Sequence, residues 1–398
     1  MDVLNFACRN LGILMDTPFV YDKYVTGRNF IGRKMECTIL GNLLKAGEHV
    51  SIYEPPKTGK MSVIHQTLIN LRNGGLQFMT AFVDMMNVRT LADFLVKFGT
   101  SVMRSAASTP DAYADIIRTY LPDTHFVFDH IRFATYDEPV SMNWAPDMND
   151  VEKMVSLPAK LAQKAGLPYF VIFKEFQNLM NADEFEDVFK VMEAQMKARD
   201  RQTPYQAAFV MSGSMVNAMK LIFEERRFFY RQVNHIPLAP VDDKEIIEHV
   251  VKGFLNGMGK SFDRNLAMGA CEFFKSNLWY MNHLAAICDS LSKGFVTENM
   301  MTDALNSMIS VHEPKFMAIV NDLTDHQLSL LRAVLDGVVK FSASDVIEKY
   351  HLNSSANVRR VKDALKKKEV LTFNEKDEPV ILDPLFEYWV SKFYFEIR

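Results

Sequence analysis

The sequence predicts an α/β fold, a parallel sheet with crossover helices, followed by an all-α module and a small C-terminal domain of three helices and a hairpin. Three observations predict it. Short apolar runs alternate with amphipathic stretches over the first 240 residues, the order that a parallel sheet with helical crossovers requires. The alternation stops after Pro240, and helical patterns follow one another to about residue 320. The last stretch carries three short helical patterns and two short strands around a charged turn. The expected domains are 1–240, with an irregular insertion at about 108–150, then 241–321 and 322–398.

Taken in order, "RNFIGRKMECTILGNLLKAG" places Met35, Ile39, Leu43 and Leu44 on one helical face that ends near Gly47. "HVSIYEPP" is a short buried strand running into a loop. "MSVIHQTLINLRNGG" is an amphipathic helix stopped by Gly74 and Gly75. "QFMTAFVDMM" is a second strand and "TLADFLVKFGTSVMRSAA" a second crossover helix. The Pro-, Asp- and aromatic-rich stretch after residue 107 reads as irregular. A helix over "DVEKMVSLPAKLAQKAG" leads to the strand "LPYFVIFKEFQNL", and a helix over "EFEDVFKVMEAQMKARD" to the strand "YQAAFVMSGSM". After the helix "VNAMKLIFEERRFFYRQ", "VNHIPLAPV" reads as an edge strand. In the C-terminal part, Thr324 caps one helix, and Ser354 or Ser355 caps the third. Three helices and a β-hairpin are the plan of a winged helix-turn-helix.

Bulk properties narrow the function classes. Charged residues are 24% of the chain and hydrophobic ones 48%, as in ordinary globular proteins. The net charge of -4 provides no global basic field for nucleic acid or anionic membrane. No apolar stretch approaches the length of a membrane span. The N-terminal "MDVLNFACRN" lacks a cationic segment before a long apolar run, so no signal peptide is expected, and the expected compartment is the cytoplasm. Cys8, Cys37, Cys271 and Cys288 are scattered without metal spacing and are expected to be reduced, buried residues.

The chemistry centres on "EPPKTGKMSVI". A phosphate-binding loop, Gly-x-x-x-x-Gly-Lys-Ser/Thr, cradles phosphates with backbone N–H groups and a helix N-terminus. Its Lys reaches the β- and γ-phosphates, and the following hydroxyl holds Mg²⁺. Here Gly59 and Lys60 are in place, between a strand and a helix, so Pro56, Lys57, Thr58, Gly59, Lys60, Met61 and Ser62 are the candidate nucleotide-binding loop. Glu54 stands where the first Gly is expected, and Met61 where the hydroxyl is expected. Ser62 lies one residue late, so its hydroxyl is expected to point elsewhere. Phosphate-loop enzymes also end a later strand in Asp-Glu, the Asp ordering Mg²⁺ and the Glu polarising water. At that place "VIFKEFQNL" has Lys174 and Glu175. An ammonium about 4 Å from a cation is disfavoured by roughly 4 kcal/mol per unit charge at an effective dielectric near 20. Lys174 therefore repels a divalent ion. Ser212 and Ser214 end the next strand, where either a phosphate sensor or a plain small-residue turn fits.

The ordered set of motifs resembles the archaeal-type ATPases, in the STAND branch of AAA+ P-loop proteins, from about residue 17 onward. Phe30, Ile31, Gly32, Arg33 and Glu36 are similar to that family's opening Phe-Ile-Gly-Arg-x-x-Glu. "PPKTGKMS" resembles its Pro-Arg-Arg-Tyr-Gly-Lys-Thr-Ser loop. Glu175, Phe176 and Gln177 match its Asp-Glu-Phe-Gln strand end. Gly213, Ser214, Met219, Arg231, Leu238 and Pro240 are in step with its next segment, and Asp383, Pro384, Phe386 and Trp389 with its winged-helix close. The resemblance implies ATP or ADP as ligand, Lys60 and Ser214 among the binding residues, Glu175 as the base of a surviving hydrolysis, and Arg231 as a γ-phosphate sensor. The departures gather at the metal: Met61 replaces the ligating Thr and Lys174 the ordering Asp, so both Walker motifs are degenerate and Mg²⁺ binding is not expected. Tyr230, Ser276 and Leu278 replace family Gly, Gly and Pro residues.

Three readings follow. The protein is a hydrolysis-defective pseudoenzyme acting as a scaffold or regulator. It is an ATPase with a rearranged site. Or Lys174 serves as an internal cation facing the phosphates, the blander alternative being an ammonium paired with Glu175 or another carboxylate. A fourth function class belongs to the winged helix. Arg359, Arg360, Lys362 and Lys366 on its third helix form a candidate DNA contact. Yet residues 324–398 hold twelve basic and twelve acidic side chains, and the wing "NEKDEP" is acidic, so a protein partner is the competing expectation.

Overall fold

A computed structural model describes residues 17–198, 205–257 and 259–397. The leader expectation and Cys8 lie outside these residues. Two compact units result. One comprises Lys34–Pro56 and Gln66–Leu238, and the other the described parts of Met1–Arg33, Lys57–His65 and Ala239–Arg398.

The first unit is a sheet wrapped by helices. Its elements are α1 (Lys34–Lys45), β1 (His49–Tyr53), the latter part of α2 (Lys60–Asn73), β2 (Met79–Asp84), α3 (Leu91–Ala106), α4 (Pro110–Tyr120), β3 (Phe126–Val127), α5 (His130–Tyr136), β4 (Ser141–Met142), α6 (Met148–Ala165), β5 (Tyr169–Lys174), α7 (Phe185–Lys197), β6 (Ala207–Gly213), α8 (Val216–Lys220) and β7 (Val233–His235). The five main strands run parallel in the order β2-β5-β6-β1-β7. A sheet covered on both faces needs continuous apolar strands, and β1 is buried along its whole length while β5 is buried up to Lys174. Phe94 and Phe98 of α3 and Phe173 of β5 are fully buried, and the Phe98 and Phe173 rings stack at 5.6 Å.

The stretch expected to be irregular is largely ordered. It holds α4, α5 and the antiparallel pair β3–β4. Pro110 does not break structure here. It sits in the first turn of α4 behind the N-cap Thr109, where its missing N–H costs nothing. Asp129 caps α5, accepting from the N–H groups of Ile131 and Arg132. The segment is anchored by Asp150, whose side chain is fully buried. Its carboxylate accepts from the His125 N–H and Nδ1, each at 2.8 Å, and from the Asp147 N–H at 2.9 Å.

The second unit holds α9 (Asp243–Lys252), α10 (Arg264–Phe273), α11 (Leu278–Leu291), α12 (Glu298–Asn321), α13 (Asp325–Leu335), α14 (Ser344–Lys349), α15 (Ser355–Lys367), β8 (Leu371–Phe373), β9 (Pro379–Ile381) and α16 (Pro384–Trp389). Ser354 is the cap of α15, accepting from the Asn357 N–H at 3.2 Å, and the Thr324 N–H donates to Gln327 at the start of α13. The last helix of the helical module, α12, runs unbroken through Pro314 to Asn321. One hydrophobic core serves both the helical module and the winged helix, from Phe19, Ile246 and Phe254 through Met308 and Phe316 to Phe386 and Trp389. Cys271 and Cys288 are buried in it, and Cys37 is buried in the first unit.

Candidate functional site

Loop residues Lys57 to Ser62 belong to the second unit, while Pro56, Glu175, Ser214 and Arg231 belong to the first. Gly59 has φ +87°, a conformation that a side chain resists, and opens the chain into α2, whose Val63 N–H bonds the Gly59 carbonyl at 3.1 Å. Lys60 heads the helix and is buried. Arg33 donates to the Thr58 carbonyl at 3.0 Å, pinning the loop from the lead-in segment. The Ser62 hydroxyl accepts the Val25 N–H at 3.0 Å. The Ser62 oxygen is thus engaged by the lead-in backbone. Tyr24 stacks on His65 one turn later, with ring centroids 3.8 Å apart.

Lys57 turns toward the helical module. Its Nζ donates to Tyr280 Oη at 3.2 Å and lies 4.0 Å from the Trp279 ring centroid and 4.6 Å from that of Tyr280. Burial lowers its pKa to about 8, against the opposing pull of Asp383 and with a further push from Lys315. Nothing in the sequence signals this contact, which joins residues 223 positions apart.

In the first unit, the parallel register sets Asp84 at the end of β2 opposite Lys174 at the end of β5. The Lys174 ammonium donates to Asp84 at 2.8 Å. Burial pushes the Asp84 carboxyl up, but the Lys174 bond, the Met86 N–H and the charges of Lys174 and Lys97 bring it below its ordinary value. The partner of Lys174 is thus the neighbouring strand's carboxylate rather than Glu175. Glu175 itself sits at φ 55°. Its Oε2 accepts from Gln177 Nε2 at 2.8 Å, Ser214 N–H at 3.1 Å and Ser214 Oγ at 2.5 Å. The two motif residues Glu175 and Ser214 are brought together, but as acceptor and donors of one knot. Gly213 is required beside that knot: a Cβ there would lie 2.6 Å from Gln177 Oε1 and 2.5 Å from Met219 Cγ. Arg231 is exposed, at φ 60°, with its guanidinium 5.2 Å from the Tyr230 ring centroid.

At the positions where a phosphate loop and its later strand ordinarily supply Mg²⁺ ligands, this chain has fewer of them. Met61 offers no oxygen, the Ser62 oxygen already accepts a backbone N–H, and the strand-end position of the ordering carboxylate holds an ammonium. Elsewhere, His125, Asp147 and Asp150 gather ligand atoms within 4.8 Å. Both Asp150 oxygens are used by donors there, so the cluster is a structural clip.

On the winged helix, Lys362 bonds both carboxylate oxygens of Asp377 in the wing at 3.0 Å and lies 4.0 Å from the Phe373 ring centroid. Lys368 pairs with Asp322 at 2.7 Å. Arg360 donates to Asn357 at 3.3 Å. Arg359 and Lys366 line a shallow groove with Lys362, Asp363 and Asp377. Among the described residues no helix is long and apolar enough to cross a membrane.

A family model described as a probable winged helix domain matches residues 314–392. No curated protein matches the sequence. Among solved structures, the Walker-type ATPase PABY2304 of Pyrococcus abyssi aligns with a TM-score of 0.65 and 14% identity over 93% of this chain and 99% of that one. The Aeropyrum pernix ORC2 protein, as ADPNP–ADP complexes, aligns with a TM-score of 0.57 and 13% identity over 90% of this chain and 93% of that one. Its ADP form gives 0.55 at 12% identity over 92% and 93%. The fold is that of an AAA+ P-loop NTPase with a C-terminal winged helix.

Proposed function

We propose that this chain is an AAA+ protein of STAND type that binds ATP or ADP and acts as a regulator or scaffold with little or no Mg²⁺-dependent hydrolysis. The observation that carries this reading is the Lys174–Asp84 ion pair at the strand end where a metal-ordering carboxylate belongs. The loop supplies what a phosphate needs from its own residues: Gly59 in a left-handed turn, Lys60 at the head of a helix, and Arg33 bracing the Thr58 carbonyl. Bound ATP would bring a phosphate chain that the N–H groups of Lys57–Ser62 and the Lys60 ammonium hold by charge and hydrogen bonding. The Glu175 Oε2 is already engaged by Gln177 and Ser214. The rearranged-ATPase reading loses support from the Ser62–Val25 bond. The internal-cation reading loses it from the Asp84 partner of Lys174.

Calorimetric titration of ATP in EDTA and in Mg²⁺ tests the proposal. Affinities within about threefold of each other are expected, which is under 1 kcal/mol, together with phosphate release indifferent to Mg²⁺. Mg²⁺-stimulated turnover, or no nucleotide bound under either condition, would sink it.

For the winged helix, the pairing of Lys362 with the wing's own Asp377 favours a protein-docking role over DNA. A domain that neutralises its central lysine internally releases few counterions on a duplex. Gel-shift titration at low salt is expected to show no duplex DNA complex in the low micromolar range. A complex that weakens steeply with salt and is lost on replacing Arg359 and Lys366 with Ala would reinstate DNA.

A further inference from the structure

Lys57 is an expensive residue to hold where it is. Its backbone lies at φ 69°, outside the region that side chains favour, and its ammonium is removed from water. In return it receives two aromatic faces and one phenol oxygen, with no direct bond to a carboxylate. The negative charge stands one hydrogen bond further on. Tyr280, 1% exposed, donates its hydroxyl to Asp383 Oδ1 at 2.6 Å. Asp383 is also the N-cap of α16, accepting from the Leu385 and Phe386 N–H groups at 3.0 and 3.3 Å. The chain Lys57–Tyr280–Asp383 therefore runs from the loop, through the first turn of α11, to the last helix of the winged domain. The other charged and titratable groups facing it are Lys315, His283 and His312. Burial lowers the pKa of both histidines, His283 to about 4, and the Lys57 charge adds to each shift. An ammonium that binds its proton less tightly here than in water gains by moving to an anion.

We propose that Lys57 is a latch: its ammonium tethers the loop to the winged helix through Tyr280 and Asp383, and a polyphosphate seated on the loop competes for that ammonium and releases the tether. The tether stands on the geometry alone, and the competition rests on the nucleotide reading above. Occupancy of the loop is thereby transmitted to α16 by the loss of one cation.

Amide hydrogen exchange of the full chain in EDTA, with and without ATP, reads both halves. The variants are Lys57→Met, Tyr280→Phe and Asp383→Asn, the last keeping a good N-cap while removing the charge. Without ATP, amides at 57–62 should exchange several-fold faster in all three variants than in wild type, with circular dichroism unchanged. In wild type, ATP should protect 57–62 and accelerate exchange at 383–389, and the second effect should vanish in Lys57→Met. Wild-type exchange at 57–62 in both Tyr280→Phe and Asp383→Asn overturns the tether. Protection of 57–62 by ATP with no change at 383–389 overturns the competition. ATP that protects nothing overturns the nucleotide reading and the competition with it, while the comparison without ATP still decides the tether.

Discussion

Lys60→Ala is expected to weaken ATP binding by about 2–5 kcal/mol, the usual cost of truncating one member of a buried, hydrogen-bonded charge pair. That is roughly a 30- to several-thousand-fold rise in Kd. The reason is local. Lys60 is buried at the head of α2, so its charge is poorly screened. In a loop that also holds Mg²⁺ the lysine is one cation of two. Its removal should leave binding equally poor in EDTA and in Mg²⁺. Titration with a melting curve as the folding control checks this. Unchanged affinity in a folded Lys60→Ala protein would remove the loop from the nucleotide site.

The second large effect concerns stability. Asp150→Ala abandons three donors around one fully buried carboxylate. Each stranded donor costs about 1–3 kcal/mol, offset where water reaches the half-exposed His125 ring. A net loss of about 3 kcal/mol is expected, which lowers Tm by roughly 6–12 °C for a unit of this size. The pH dependence follows from the shifts. Burial pushes the Asp150 carboxyl up, but the bonds from the His125 N–H, the His125 ring and the Asp147 N–H outweigh it, and the net shift is downward. Its stabilisation is therefore present above the ordinary carboxylate range and lost as pH falls through the lowered value. The His125 imidazole is raised, first by its bond to Asp150. Its contribution is complete below the ordinary imidazole range and lost as pH rises through the raised value. Wild type should thus lose stability on both the acid and the mildly alkaline side, and Asp150→Asn should flatten both limbs with a smaller loss than Asp150→Ala. A wild-type profile already flat across both ranges would remove the ion pair from the account.

The sheet was legible because its strands are buried on both faces, which leaves uninterrupted apolar runs such as "YFVIF". The helices of the insertion are hidden in the sequence by its mixture of Pro, Asp and aromatic residues, although Thr109 before Pro110 marks a first turn. At Pro314, inside α12, packing of Phe316 on Trp389 outweighs one lost backbone bond. At the site, residue types were legible and partners were not. That Lys174 cannot hold a divalent ion follows from its charge. That Asp84 receives it depends on the register of two strands ninety residues apart. The Glu175–Ser214 knot and the Lys57 cage are likewise long-range pairings, which local periodicity does not encode.

The passage of α12 from one module into the next has a mechanical consequence. Its residues on both sides of Pro314 are fastened to the same distal partners: Glu313 accepts the Trp389 indole N–H at 3.2 Å, and Phe316 packs on Phe386 and Trp389. The boundary where the winged-helix family model begins, residue 314, is therefore a spliced beam and not a joint. A swing of the winged helix about that point would tear open shared apolar surface, so torque applied at its tip must travel into the helical bundle instead of dissipating at a hinge.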